Sequence, residues 1–177
     1  MKTRIIYRFF GMENAFNPFN KILLVCLLLL GSFSAGAQSV TELTGFLTGQ
    51  KSSDDPAVVS ATEHLETLLN EAKSTVFVSA DITTTDETPP VRAYVKATAV
   101  GKLSLENPLF NEVELITIRL KKSTDMNFVL DLLRVTGFPL LKYVYFLCEF
   151  PASPDDLNKL FIAKPGITVL YKISLAS

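Results

Sequence analysis

The stretch Lys142-Tyr143-Val144-Tyr145-Phe146-Leu147-Cys148-Glu149-Phe150 (KYVYFLCEF) is apolar on both faces between its ends. That pattern predicts a strand covered on both sides. Immediately after it, Ser153-Pro154-Asp155-Asp156 supplies a serine cap, a proline at the first helical position and acids near the positive end of a helix dipole. A short helix is therefore expected, ended by Lys164-Pro165-Gly166. Ile167 to Leu175 (ITVLYKISL) then alternates, with Ile167, Val169, Tyr171, Ile173 and Leu175 opposed to Thr168, Leu170, Lys172 and Ser174. A strand covered on one face, or lying near an edge, reads this way.

Working back along the chain, Asn107-Pro108 marks a turn and Glu112 to Leu120 reads as another strand. Thr124 and Asp125 open a predicted helix through Val135, closed by Gly137 and Pro139, with Gly137 supplying the positive φ of a helix end. Two strand-helix-strand units in succession predict three neighbouring parallel strands with right-handed connections.

The same region carries a weak repeat. A shift of 28 residues places Phe110, Val113, Leu115, Ile116 and Ile118 on Phe138, Leu141, Tyr143, Val144 and Phe146. Leu140, Tyr143, Tyr145 and Cys148 have the spacing of the leucine-rich-repeat strand pattern, but both tyrosines replace leucines and Lys172 occupies a leucine position in the third strand. Residues 38–99 show no repeat, so ordinary strand-helix units are the expected source of the shift.

In the first half, Asp55 and Pro56 read as N-cap and first residue of a helix. Val58, Ala61, Leu65, Leu68, Leu69 and Ala72 recur at helical spacing, which predicts one amphipathic helix over Pro56–Ala72. Val76 to Ile82 and Val91 to Ala99 alternate as strands, joined by TTTDETPP, and predict an antiparallel hairpin. Gln38 to Ser53 carries no decisive signal. The expectation is a mixed α/β fold: a single-domain sandwich over residues 38–177 with a mixed sheet of five or six strands, a helix and hairpin preceding a β-α-β-α-β half.

Residues 1–37 stand apart. Nine consecutive apolar residues, Ile22–Leu30, follow Lys2, Arg4, Arg8 and Lys21 and precede Gly31-Ser32-Phe33-Ser34-Ala35-Gly36-Ala37. Basic, apolar and small-residue segments in that order predict a secretory signal peptide cut between Ala37 and Gln38, hence a periplasmic or extracellular protein. A start at Met12 would keep only Lys21 against Glu13, so a start at Met1 fits an export signal better. The uncharged stretch is short for a membrane span, so membrane association is expected only if the leader is retained. Cleavage removes Cys26 and leaves 13 basic against 17 acidic residues, with Cys148 as the one cysteine. An internal disulfide is then excluded, and the acidic balance disfavours nucleic acid.

Catalytic signatures are absent from the sequence. His64 lies on the predicted helix off the leucine stripe, and Glu63 and Glu66 are not placed on its face. Cys148 sits in the most apolar strand, where a thiol is expected to be a protonated hydrophobe. Asp54/Asp55 and Asp155/Asp156 read as helix caps, and Glu112 with Glu114 as a solvated strand face, so neither metal nor cofactor is expected. Tyr143 and Tyr145 are the candidate binding residues: core packing is their default, and an exposed face would make them a partner surface. The expected function is binding of a protein or envelope component by a non-enzymatic domain. The alternative is a small hydrolase whose carboxylates meet only in the fold.

Overall fold

A computed structural model describes residues 39–175. The leader and its cut between Ala37 and Gln38 lie outside the described residues. The chain begins with a two-residue strand β1 (Thr41–Glu42) and two helices, α1 (Leu43–Lys51) and α2 (Pro56–Asn70). Strands β2 (Thr75–Val78), β3 (Ile82–Thr84), β4 (Arg92–Lys96) and β5 (Leu115–Leu120) follow. The last part holds β6 (Leu130–Asp131), β7 (Tyr143–Cys148), a short helix α3 (Pro154–Asn158), β8 (Phe161–Ile162) and β9 (Thr168–Ile173).

Two helix starts, those of α2 and α3, form where the sequence placed them. Asp55 accepts from the Ala57 amide at 2.9 Å with Pro56 at the first position of α2. Ser153 caps α3 through the Asp156 amide at 3.2 Å. Asp55 thus satisfies a free amide as a capping residue does, whereas at α3 the cap is Ser153 and the Asp156 carboxylate accepts from the Ser153 hydroxyl at 2.7 Å and from Lys159 Nζ at 2.9 Å.

The main sheet has seven strands in the order β1-β9-β7-β5-β4-β2-β3, and a separate parallel pair joins β6 to β8. Strands β2, β4, β5, β7 and β9 are parallel neighbours in chain order. Such a sheet grows by one strand per crossover in a single direction, as in a solenoid, so each layer mainly touches the next. Its two ends are closed by short strands, β1 parallel to β9 and β3 antiparallel to β2. Short edges leave little backbone for further pairing.

The expected α/β class with a mixed sheet holds, and several details are corrected. The predicted hairpin partners, β2 and β4, are parallel. Alternation reports which face a residue occupies and is blind to strand direction. The antiparallel partner of β2 is β3, after a tight turn in which the Ser79 amide donates to the Asp81 carbonyl at 2.9 Å. The strand expected through Ala99 stops at Lys96, and Ala97–Ser104 winds into a 3-10 helix.

The helix expected over 124–135 is also absent. Asp125 does accept from the Lys121 and Lys122 amides, at 2.8 and 3.3 Å, but the turn it caps, Ser123–Met126, ends at once. Leu130 and Leu132 then hydrogen-bond to Leu160 and Ile162 beside β8. Among the described residues the one positive-φ glycine is Gly166, at 85°, not Gly137. Gly137 instead sits where space is tight: a Cβ there would lie 3.2 Å from the Leu105 carbonyl oxygen.

The 28-residue shift has a direct physical meaning. Leu115 pairs with Tyr143, Ile116 with Val144 and Ile118 with Phe146, so the shift is the register between β5 and β7. Phe110 and Phe138 stack with ring centroids 4.3 Å apart. The repeated inward set is Val113, Ile116 and Ile118, then Leu141, Val144 and Phe146, all buried in one core. Tyr143 and Tyr145 belong to the opposite face.

Candidate functional site

The two sheet faces are covered by different parts of the chain. Residues from the crossovers, among them Leu103, Phe110, Leu132, Phe138 and Leu157, pack on the face carrying Val95, Ile118 and Phe146. The other face receives the N-terminal helices: Leu43 of α1 and Leu65 and Leu68 of α2 bury Leu115, Tyr145 and Leu170.

Helix α2 is tied to the sheet near the N-terminal ends of β4, β5 and β7. Midway along it, His64 Nε2 lies 3.0 Å from Glu114 Oε2, just ahead of β5, and Lys142 Nζ, just ahead of β7, lies 2.6 Å from the same oxygen. Near its C-terminus the Leu68 carbonyl accepts from Arg92 Nη1, at the start of β4, at 2.9 Å. Arg92 Nη2 also reaches the Lys73 carbonyl at 3.2 Å and Thr75 Oγ1 at 3.1 Å. A cation at a helix C-terminus is favourable for the last carbonyls. Desolvation lowers the Arg92 pKa, and its buried Nε has no partner.

Because α2 lies over the N-terminal half of the strands, a row of side chains beyond it is left partly open. In register this row is Phe77, Tyr94, Thr117 and Tyr145, one residue from each of β2, β4, β5 and β7. Leu68 and Leu69 form one wall and Leu147 borders the floor of a groove of about 250 Å³. An adjoining hollow of about 450 Å³ shares Leu69, Tyr145 and Leu147 and reaches Leu47 of α1 and Lys172. Phe77 is 40% exposed, with its ring tilted 50° against Tyr94 at 6.0 Å.

The next row outward on the same face is Lys96, Arg119, Leu147 and Lys172. Arg119 Nε is ion-paired with Glu149. Glu149, and then the Tyr94 hydroxyl, raise the Arg119 pKa above its ordinary value. Lys121 joins Lys96, Arg119 and Tyr94 around a further hollow at the ends of β4 and β5.

The sequence candidates fall in different places. Tyr145 is buried beneath the helices, and burial pushes its hydroxyl up to about 12; Tyr143 is half-buried. Tyr145 therefore forms groove floor and core together, whereas the more open aromatic residues of that face are Phe77 and Tyr94, which alternation had placed in strands without showing what covered them. Cys148 is fully buried on the crossover face, and burial pushes its thiol up to about 11.

Glu112 and Glu114 do not form a pair. Glu112 is exposed, near Asp86 and Glu87 in a separate hollow, while Glu114 meets His64 and Lys142. Burial alone would raise the Glu114 pKa, but hydrogen bonds from Lys142 and His64 outweigh it and hold the carboxyl below the ordinary value. A carboxylate held by two cationic or donor groups is suited to pinning α2 onto the sheet. Among the described residues, no cluster of three or more His, Cys, Asp or Glu could hold a metal ion, and no helix is long and apolar enough to cross a membrane.

No protein-family model, curated protein or solved structure matches this chain. The geometry itself defines the class: a mixed α/β domain with an in-order parallel sheet, covered over its inner strands on one face and incompletely roofed on the other.

Proposed function

We propose that this protein is an exported, non-enzymatic domain that works by binding another protein or an envelope component in the groove beside α2. The observation that carries the reading is the partly open row Phe77–Tyr94–Thr117, at the margin of the surface that α1 and α2 cover. An exposed Phe77 beside a half-buried Tyr94, bordered by arginine and lysine, has the composition of a recognition surface. The export part rests on the order of charge, apolar run and small residues in 1–37.

The test is capture from envelope extract by the immobilised protein, compared with a Phe77→Asp variant of equal thermal stability. Loss of the captured partner in the variant is expected; unchanged capture would overturn the groove as the binding site. N-terminal sequencing of protein recovered outside the cytoplasm is expected to begin at Gln38. Recovery of the whole chain in the cytoplasm alone sinks the export reading.

A further inference from the structure

We infer that the occupant of this groove is an amphipathic helix with an acidic flank, presented by a partner protein; the inference rests on the binding reading above and specifies its ligand. The argument begins with backbone hydrogen bonding. The groove lies on the face of a sheet whose amides and carbonyls are used in the ladders between neighbouring strands. An extended peptide laid across it would find few main-chain partners, and unsatisfied backbone groups over an apolar floor are costly. A helix satisfies its own backbone and needs only side-chain complementarity.

The molecule already shows that geometry. Helix α2 packs on the same face, with His64 held at Glu114 ahead of β5 and the Leu68 carbonyl held by Arg92 of β4, and its Leu68 and Leu69 form the groove wall. A second helix alongside would complete the layer that α2 begins. From β2 to β7 there are three interstrand steps, about 14 Å at the usual spacing. At 1.5 Å per residue that length holds about ten residues of helix, and one turn of about 5.4 Å roughly matches one strand spacing. Openness argues the same way, because a small ligand is ordinarily enclosed over most of its surface.

Charge selects the flank. Although acids outnumber bases from Gln38 onward, Lys96 and Arg119 are adjacent in register along the outer border, with Lys121 close by. Two acids stand near them: Glu149 is held by Arg119, and Asp125 turns to the Lys121 and Lys122 amides. At the far end Lys172 acts on Glu42, whose carboxyl is held chiefly by the Gly45 amide. Lysine and arginine stems can lie along an apolar helix face while their heads meet acids on its rim.

The probe is a fluorescein-labelled helical peptide of about 15 residues, leucine at positions i, i+3, i+4 and i+7 and glutamate on one flank. Its controls are a lysine-flanked twin and a scramble of the same composition. Fluorescence anisotropy with the purified protein is expected to show the glutamate peptide binding about tenfold or more tightly than the twin, an advantage of about 1.4 kcal/mol. The preference is expected to vanish in Lys96→Glu/Arg119→Glu, and binding itself in Phe77→Asp. Equal binding of both flanks, or of the scramble, would overturn the inference. So would binding to phosphatidylglycerol vesicles that is lost in Phe77→Asp, or dimerisation lost in the same variant. If the peptides fail while Phe77→Asp still abolishes envelope capture, the acidic helix is wrong and the groove stands. If capture survives Phe77→Asp, both readings fail.

Discussion

On the crossover face, Ile116, Ile118, Val144 and Phe146 are sealed at 0% exposure by connections that belong to the same strand-by-strand repeat, whereas on the helix face Phe77 is 40% exposed in the row that ends at a buried Tyr145. The first face closes itself: every added strand brings a connection that covers its predecessor, as Phe138 does when it stacks on Phe110. The second face has no such supply. Its cover comes from α1 and α2, which precede the parallel strands in the chain and reach only part of the surface. A local, repeating cover closes over the inner strands β4, β5 and β7 and thins only at the last strand, where Ile173 is 38% exposed, whereas a borrowed one leaves a groove at the inner strands themselves.

Core truncation is the hardest test of that contrast. Phe146→Ala, in the sealed face, is expected to cost about 3–5 kcal/mol, because the cavity cannot collapse among so many fixed neighbours. Phe77→Ala, in the open row, is expected to cost about 1 kcal/mol or less. Denaturant unfolding of both variants checks this. Similar losses would show that the open row is part of the core, and the distinction between the faces would fall.

A middling effect is expected where the borrowed cover is fastened. Arg92→Met keeps the stem but removes the donors that hold the Leu68 and Lys73 carbonyls and Thr75. Loss of these charge-assisted bonds is expected to cost about 1–3 kcal/mol, less whatever is recovered by burying no cation. Hydrogen exchange gives the sharper readout: protection is expected to fall in the last turn of α2 while β5 and β7 keep theirs. Uniform loss across the sheet would mean that Arg92 supports the whole fold rather than the roof.

The two faces were unequally legible in the sequence. The Phe110/Phe138 and Ile116/Val144 matches contained the strand register, because in-order stacking turns sequence spacing directly into spatial pairing. The parity of that repeat was open at Tyr143 and Tyr145, since a strand apolar on both faces does not say which face meets the connections. Length-three and length-four motifs such as β3 and the Ser123–Met126 turn are too brief to show a period. Helix α1 was hidden for another reason: Gly45 and Gly49 weaken helix propensity, and its N-cap is Glu42, outside the usual cap residues. The groove was illegible because openness is a property of what α1 and α2 fail to cover, and no local pattern in β2 or β4 records it. His64 and Glu114 are 50 residues apart, so their pairing needed the fold.

The smallest expected effect at neutral pH lies at Cys148, and it tests the sealed face through its chemistry. Burial raises the folded thiol from its ordinary value of 9.0 to about 11, so the unfolded chain loses that proton first as pH rises. Between those values the unfolded state binds fewer protons than the folded one, and the linkage slope makes stability fall with rising pH. Well below pH 9 the thiol is protonated in both states and contributes no slope. Cys148→Ala is therefore expected to behave much like the parent at pH 7 and to unfold with a shallower decline between about pH 9 and 11, measured by urea titration at several pH values. A slope unchanged by the substitution would assign the decline to other groups, Tyr145 first, whose raised hydroxyl acts with the same sign from the helix face. Alkylation adds an independent reading: native protein is expected to react with iodoacetamide far more slowly than urea-unfolded protein, and equal rates would show that the crossovers open as readily as the roof.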